Sequence, residues 1–385
     1  MKNYLLGTFS LISSVVYSQT GTNTSLTFNS GGTTRNYTIY VPLKYDGLTP
    51  VPLVFNIHGF LGSDTQQEQY GDFRTIADTE NFIVVHPKAL GSSPSWNVFG
   101  TLASGAADRL FIMSLLDSVM AHYNINQKRV YSTGYSQGGF MSQDLACQYS
   151  TRFAAIASVC GGMVQSHYSA CNPQHPTPFM EIHGTSDQII SYTGTGGLQN
   201  CMPVDTIVKY WYKYDACNTT PVVTSLPNIN AADNCTVTHY VYAGANSDSR
   251  VELYKVISGG HQWPATGPTG GATGTGNRNA DFSASKEIWR FFNEHTLSTG
   301  IENYETDNNT ILIYPNPSNG IFIIELKNIQ NADFVIYNIL GEVVYSEKNL
   351  NQISTIHIGN VPAGVYFYQV NNQTGLIKTG KLIME

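Results

Sequence analysis

The pentapeptide Gly134-Tyr135-Ser136-Gln137-Gly138 follows a strand-like run, Val130–Thr133, and precedes an apolar helical stretch that reaches Cys147. That order sets a serine on a very tight strand-to-helix turn, where strained backbone angles require glycine on both sides so that neighbouring backbones can pass. Such a turn lifts Ser136 Oγ clear of the sheet. It also aims the Gln137 N–H at an incipient oxyanion, near the positive end of a helix. A serine nucleophile needs a base, and the base needs a carboxylate to orient it. In this arrangement the chain order is Ser, acid, His, each partner lying in a loop after a later strand. Phe179–Ile182 runs into His183-Gly184-Thr185-Ser186-Asp187, and Val251–Val256 runs into Gly259-Gly260-His261-Gln262-Trp263-Pro264. Asp187 is therefore expected to hold the imidazole in its tautomer, and His261 to take the Ser136 proton. Asp108, Asp205 and Asp215 are rivals for the acid, but none follows a strand at this point in the order.

A second oxyanion donor should come from the loop after the apolar run Pro52–Ile57, and His58-Gly59-Phe60-Leu61-Gly62 fits, with the Phe60 N–H as donor. His58 and His183 read as loop-fixing side chains. The chemistry calls for no cofactor. It calls for no metal either, and the chain contains no CxxC or HxxxH spacing.

The elements that must position these groups alternate between strand and helix, which argues α/β. Phe82–Val85 reads as a further buried strand. Arg109–Tyr123 reads as an amphipathic helix with Ile112, Leu116, Val119 and Tyr123 on one face, and Ser283–His295 as a closing helix. The helix Val204–Tyr214 carries Trp211 in what reads as a core-facing stripe. Residues 1–18 combine Lys2, an apolar stretch and small residues at 16 and 18, the pattern of a signal peptide. The apolar run is too short for a membrane span. A catalytic domain is expected over 19–297, a polar linker over 298–310 and a separate domain over 311–385. In that last segment short β-branched runs alternate with the turn clusters NPSNG, NILGE, NVPAG and NNQTG, as in a β-sandwich.

Composition narrows the function classes. The 385 residues carry 20 Lys+Arg and 27 Asp+Glu, a net charge of −7, and only 12% are charged. An acidic balance does not suit nucleic acid, and the apolar and aromatic content does not suit disorder. The six cysteines all fall between 147 and 235, an even number in a chain expected to be exported. Cys217–Cys235, flanking a Pro/Asn-rich loop, is the expected disulfide, while Cys147 reads equally as a buried thiol.

Two resemblances follow from these residues. Residues 30–297 resemble the esterases of the polyhydroxybutyrate depolymerase and feruloyl/acetylxylan esterase group. The likeness rests on His58-Gly59-Phe60, Ser95-Trp96-Asn97, Arg129-Val130-Tyr131 leading into Gly134–Gly139, His183-Gly184-Thr185 with Asp187, and Gly260-His261 with Trp263-Pro264. It implies an α/β-hydrolase fold and cofactor-free hydrolysis of carboxylic esters through an acyl-enzyme, with Ser136, Asp187 and His261 as the triad and Phe60 and Gln137 as the oxyanion hole. Ala106-Ala107-Asp108-Arg109 departs from the acidic stretch common in that group. Trp96, Trp263 and Tyr135 are expected to contact substrate, the tryptophans by stacking on a sugar, a feruloyl ring or a polymer chain. The segment from 311 resembles the C-terminal sorting domain of the type IX secretion system, through Tyr314-Pro315-Asn316-Pro317 with Gly320, Ile336-Tyr337-Asn338 with Gly341, and Pro362–Tyr366. It implies export through the periplasm to the cell surface or medium, with the secretion machinery as partner and an ester-bearing polymer or polysaccharide as substrate. An exported serine peptidase of the same fold and a non-catalytic adhesion protein are the alternatives.

Overall fold

The computed structural model describes residues 21–100, 106–195, 201–245, 249–266, 274–297, 310–327, 329, 331–359, 361–372 and 375–385. The signal-like segment 1–18 and positions 298–309 of the expected linker lie outside the described residues. The chain divides into two compact units, Met1–Leu297 and Ser298–Glu385.

The first unit begins with the strands β1 (Thr22–Ser30), β2 (Thr33–Val41) and β3 (Val51–Ile57), then helices α1 (Asp64–Tyr70) and α2 (Arg74–Glu80). It continues through β4 (Ile83–Pro87), α3 (Ala106–His122), β5 (Ile125–Tyr135), α4 (Gln137–Tyr149), β6 (Ala155–Val159) and α5 (Gln165–Ala170). It ends with β7 (Phe179–Gly184), α6 (Val204–Tyr214), β8 (Val222–Ser225), β9 (Thr236–Ala243), β10 (Arg250–Ile257) and α7 (Ala284–Asn293). One ten-stranded sheet forms in the order β1-β2-β4-β3-β5-β6-β7-β10-β9-β8. The six strands from β4 to β10 run parallel, and antiparallel pairs close both edges.

Parallel strands are covered on both faces and so read as continuous apolar runs. All seven residues of β3 are buried. Their alternation sends Leu53, Phe55 and Ile57 into one core cluster and Val54 into another, one on each face of the sheet. Helices α3, α4 and α6 supply Phe111, Phe140 and Trp211 to the first cluster. Helices α2 and α7 supply Ala77, Ile288 and Phe292 to the second. Trp211 is thus a core residue, as its stripe suggested.

The disulfide corrects the expected pairing. Cys147 on α4 bonds Cys171 just after α5, across a sequence separation of 24. Closing a loop of that length removes about 3 kcal/mol of unfolded-state freedom. Cys217 and Cys235 are both free and buried. They belong to the clusters on opposite faces of the sheet, so the sheet itself separates them.

The second unit is all β: β11 (Thr310–Tyr314), β12 (Ile321–Lys327), β13 (Ala332–Tyr337), β14 (Val343–Leu350), β15 (Ile353–His357), β16 (Gly364–Asn372) and β17 (Gly375–Met384). Two sheets form, β11-β12-β15 and β14-β13-β16-β17. Both contribute to one core, in which Phe322 of the first sheet meets Phe334 of the second at 6.1 Å between ring centroids. It is a small β-sandwich. Among the described residues of the whole chain, no helix is long and apolar enough to cross a membrane.

Candidate active site

The carboxyl ends of β3, β5, β7 and β10 emerge on one edge of the parallel sheet, the usual place for a site in an open α/β fold. Ser136 sits between β5 and α4 with φ 53° and ψ −119°, a left-handed strained conformation of the kind that clusters at functional sites. Its neighbours explain how the turn fits. A Cβ on Gly138 would lie 1.9 Å from the Ile57 carbonyl oxygen, and one on Gly134 would lie 2.5 Å from the Gly138 backbone. Only glycine can occupy either place. The Ser136 N–H donates to the Val159 carbonyl at 2.8 Å, tying the turn to β6.

The loop after β3 approaches the elbow. His58 is fully buried, accepts the Ala89 N–H at Nε2 (3.0 Å) and lies 2.6 Å from the Gly59 carbonyl through Nδ1. Those two contacts require the neutral Nδ1–H tautomer. Burial, the dominant cause, lowers this imidazole to about 4. Phe60 is 55% exposed. Among the described residues, neither the Phe60 nor the Gln137 amide N–H has a backbone acceptor.

A strap of residues 94–97 ties these two donors together. The Gln137 Oε1 accepts the Trp96 N–H at 3.0 Å, and the Trp96 indole N–H donates to the His58 carbonyl at 2.9 Å. The Leu61 N–H donates to the Pro94 carbonyl at 2.8 Å. This strap corrects the role expected of Trp96. The side chain is 1% exposed and its ring packs on His58 at 5.1 Å, so it offers no face for stacking. Trp263 is likewise 1% exposed, wedged against Tyr70 and Phe73 with its N–H on Ser285 Oγ. Tyr135, also buried, directs its hydroxyl to the His261 carbonyl at 2.7 Å and its ring to the imidazole at 4.9 Å. All three build the site rather than its rim. Large aromatic rings satisfy their one polar atom and bury the rest.

The loops after β7 and β10 bring Asp187 and His261 together. His261 Nδ1 lies 2.7 Å from Asp187 Oδ2. Asp187 Oδ1 accepts the Ile189 and Ile190 N–H groups at 2.8 and 2.9 Å. Burial would raise this carboxyl, but hydrogen bonds from His183 and His261 outweigh it and hold it well below the usual carboxylate range. His261 is fixed by its N–H to the Thr275 carbonyl (2.8 Å), and a Cβ on Gly274 would lie 1.5 Å from the His261 carbonyl oxygen. The rival acids lie elsewhere: Asp108 pairs with Arg35 and Asn97, Asp205 with Tyr192, and Asp215 with the Thr177 N–H.

Cys160, at the end of β6, gave no signal in the sequence. Its potential ligand atom and those of Asp187 and His261 lie within 4.8 Å of one another. Burial, and after it Asp187, pushes the thiol well above its ordinary value, and Sγ rests on the Gln262 carbonyl at 3.3 Å.

Residues 35–183 match the family model described as esterase PHB depolymerase, and residues 312–385 match the secretion system C-terminal sorting domain. The first unit is thus similar to the PHB depolymerase esterases over that stretch, and the second unit matches a secretion sorting domain. That sorting domain marks the chain for export or for the cell surface. Similar proteins include a bifunctional acetylxylan esterase/xylanase of Neocallimastix patriciarum, 26% identical over 264 residues (64% of this chain, 36% of that protein). Feruloyl esterase B of Piromyces equi is 26% identical over 239 residues (59% and 42%). Poly(3-hydroxyalkanoate) depolymerase C of Paucimonas lemoignei is 27% identical over 279 residues (63% and 63%). The chain spans less than two thirds of each of these relatives. An acetyl xylan esterase from Aspergillus awamori shares the fold, with a TM-score of 0.51 at 16% identity over 71% of this chain and 100% of that one.

Proposed function

We propose that the protein is an exported serine carboxylic-ester hydrolase working through an acyl-enzyme on Ser136. The observation that carries the reading is the 2.7 Å contact between His261 Nδ1 and Asp187 Oδ2, at the same sheet edge as a strained serine elbow. With Nδ1–H donated to Asp187, His261 presents an unprotonated Nε2 as general base for Ser136 Oγ. Oγ attacks the ester carbonyl carbon while Nε2 takes the hydroxyl proton. The tetrahedral oxyanion accepts the Phe60 and Gln137 N–H groups, and the amino end of the 13-residue helix α4 favours its charge. Collapse expels the alcohol, which receives its proton from His261. Water then repeats the sequence on the acyl-enzyme and restores Ser136. None of these steps uses a cofactor.

The relatives' names point to esters carried by polymers, either acetyl or feruloyl groups on polysaccharide or poly(3-hydroxyalkanoate) itself. The acidic chain suits neutral esters. We take 1–18 as a signal peptide for entry to the periplasm, 19–297 as the esterase domain and 298–310 as a linker. The β-sandwich, 311–385, is then an address read by the secretion machinery. The test is hydrolysis of p-nitrophenyl acetate by wild type and Ser136→Ala, followed by product release from acetylated xylan, methyl ferulate and polyhydroxybutyrate film. Loss of at least about 10³-fold in the variant is expected. Full activity in Ser136→Ala would refute the reading.

A further inference from the structure

Asp187 carries two imidazoles, and the proposed reaction uses only one. Its Oδ2 lies 2.7 Å from His261 Nδ1 and 3.3 Å from His183 Nε2. His183 is fully buried, and on the far side of its ring Nδ1 lies 3.0 Å from Glu181 Oε1. Two buried carboxylates therefore flank one ring. A buried carboxylate without a countercharge takes up a proton, and a protonated Asp187 could neither fix the His261 tautomer nor stabilise a developing imidazolium.

Building on the reading of Ser136, Asp187 and His261 given above, we propose that His183 is a positioning residue. As an imidazolium between Glu181 and Asp187, it keeps Asp187 ionised and holds Oδ2 on His261. The backbone closes the clamp. The Ile190 N–H donates to Asp187 Oδ1 at 2.9 Å, and the Ile190 carbonyl accepts from His183 Nε2 at 2.8 Å. Acceptors thus face both ring nitrogens, which is what an imidazolium requires. Burial pushes the ring down, but its bonds to Asp187 and then Glu181 outweigh burial and hold it up at about 10. Among the described residues, other titratable groups near this clamp include Cys160, Tyr192, Lys255 and, beside Asp187, Cys201, whose thiol burial pushes up to about 12. The Cys160 thiol stays protonated. Tyr192 presents its ring at 5.9 Å and its hydroxyl to Asp205. Lys255, the strand partner of His183 in β10, places its ammonium 4.6 Å over the Tyr192 ring.

The test compares the full-length wild type, His183→Gln and the double variant Glu181→Gln/His183→Gln in rate profiles from about pH 5 to 9. In His183→Gln, kcat should fall about tenfold or more with KM little changed. The acidic limb should move up by about one pH unit, because loss of the neighbouring cation raises the proton affinity of both Asp187 and His261. The double variant should keep the displaced limb, since Asp187 still lacks its cation. A wild-type profile in the single variant would overturn the proposal. So would its return in the double variant, which would reduce His183 to a neutraliser of Glu181. Nitrogen-15 spectra of histidine-labelled wild type need no variant to fold. At about pH 8 one imidazolium with both N–H protons protected from exchange is expected, and finding every buried histidine neutral would overturn the proposal. Activity surviving in Ser136→Ala would refute the serine reading instead, independently of His183.

Discussion

The Ser136 elbow and the Asp187–His261 pair lie at one sheet edge but are held there by different forces. Around Ser136 the geometry is steric. Gly134 and Gly138 leave room for the backbones of the adjacent strand, with an added Cβ on Gly138 only 1.9 Å from the Ile57 carbonyl. Around Asp187 and His261 it is electrostatic, with five groups donating or facing across buried contacts of 2.7–3.3 Å. Steric placement is indifferent to pH and intolerant of a single methyl group. Hydrogen-bonded placement tolerates isosteric change but depends on protonation. The proposed nucleophile should therefore fail by substitution, and its proposed partners by charge.

The largest expected effect tests the steric half. Gly138→Ala should abolish turnover by about 10⁴-fold or more and lower Tm, because the clash is with backbone that cannot rotate away. Measured p-nitrophenyl acetate turnover above a tenth of wild type would show that the elbow relaxes. Next, Asp187→Asn keeps the shape and removes the charge. A fall in kcat of about 10³–10⁴-fold is expected, with a circular-dichroism melt close to wild type. A loss no larger than about tenfold would mean that the carboxylate charge is not what positions His261.

A smaller effect concerns pH and stability, and it falls on the loop beside the elbow. His58 stays neutral when folded down to about pH 4, whereas an unfolded histidine protonates near 6.5. Below about 6.5 the unfolded state binds the extra proton, so His58 alone should lower stability by about 3 kcal/mol between pH 6.5 and 4. His86, held neutral by burial down to about 3, adds to the same decline. Asp187 has the opposite reference. Its folded value lies below the unfolded one, so its contribution is present above the unfolded carboxyl value of about 3.9 and is lost only as pH falls further toward the folded value. Urea midpoints at several pH values would separate the two, with a decline that begins below about pH 6.5 and a second one below about 4. A flat midpoint from pH 7 to 4.5 would contradict the first. The smallest effect belongs to the strap: Gln137→Ala removes the anchor for Trp96 but keeps the backbone donor, so kcat should fall about tenfold with little change in KM.

Much of the candidate site's placement was legible because strand, loop and motif are local in sequence. Gly134–Gly138, His183–Asp187 and Gly259–His261 each lie directly after an apolar run, and the parallel sheet brings those run ends together. What was not legible depended on which face of an element meets which neighbour. Trp96 and Trp263 occupy loops beside the site, which suggested exposure, yet both are packed inward by contacts with residues 38 and 22 positions away. Cys217 and Cys235 flank one loop, yet fall on opposite faces of the sheet. The second imidazole on Asp187 was hidden for a similar reason, because a strand-end histidine reads as a loop anchor until the side chain's burial and its two carboxylates are seen together.

The proposed reaction requires a covalent intermediate on Ser136. The most direct measurement is acid-quenched mass spectrometry of the wild type during turnover of p-nitrophenyl acetate, with peptide mapping. An acetyl adduct on the peptide containing Ser136 is expected, with none in Ser136→Ala. Undiminished hydrolysis with no adduct, or with an adduct on a different residue, would contradict it.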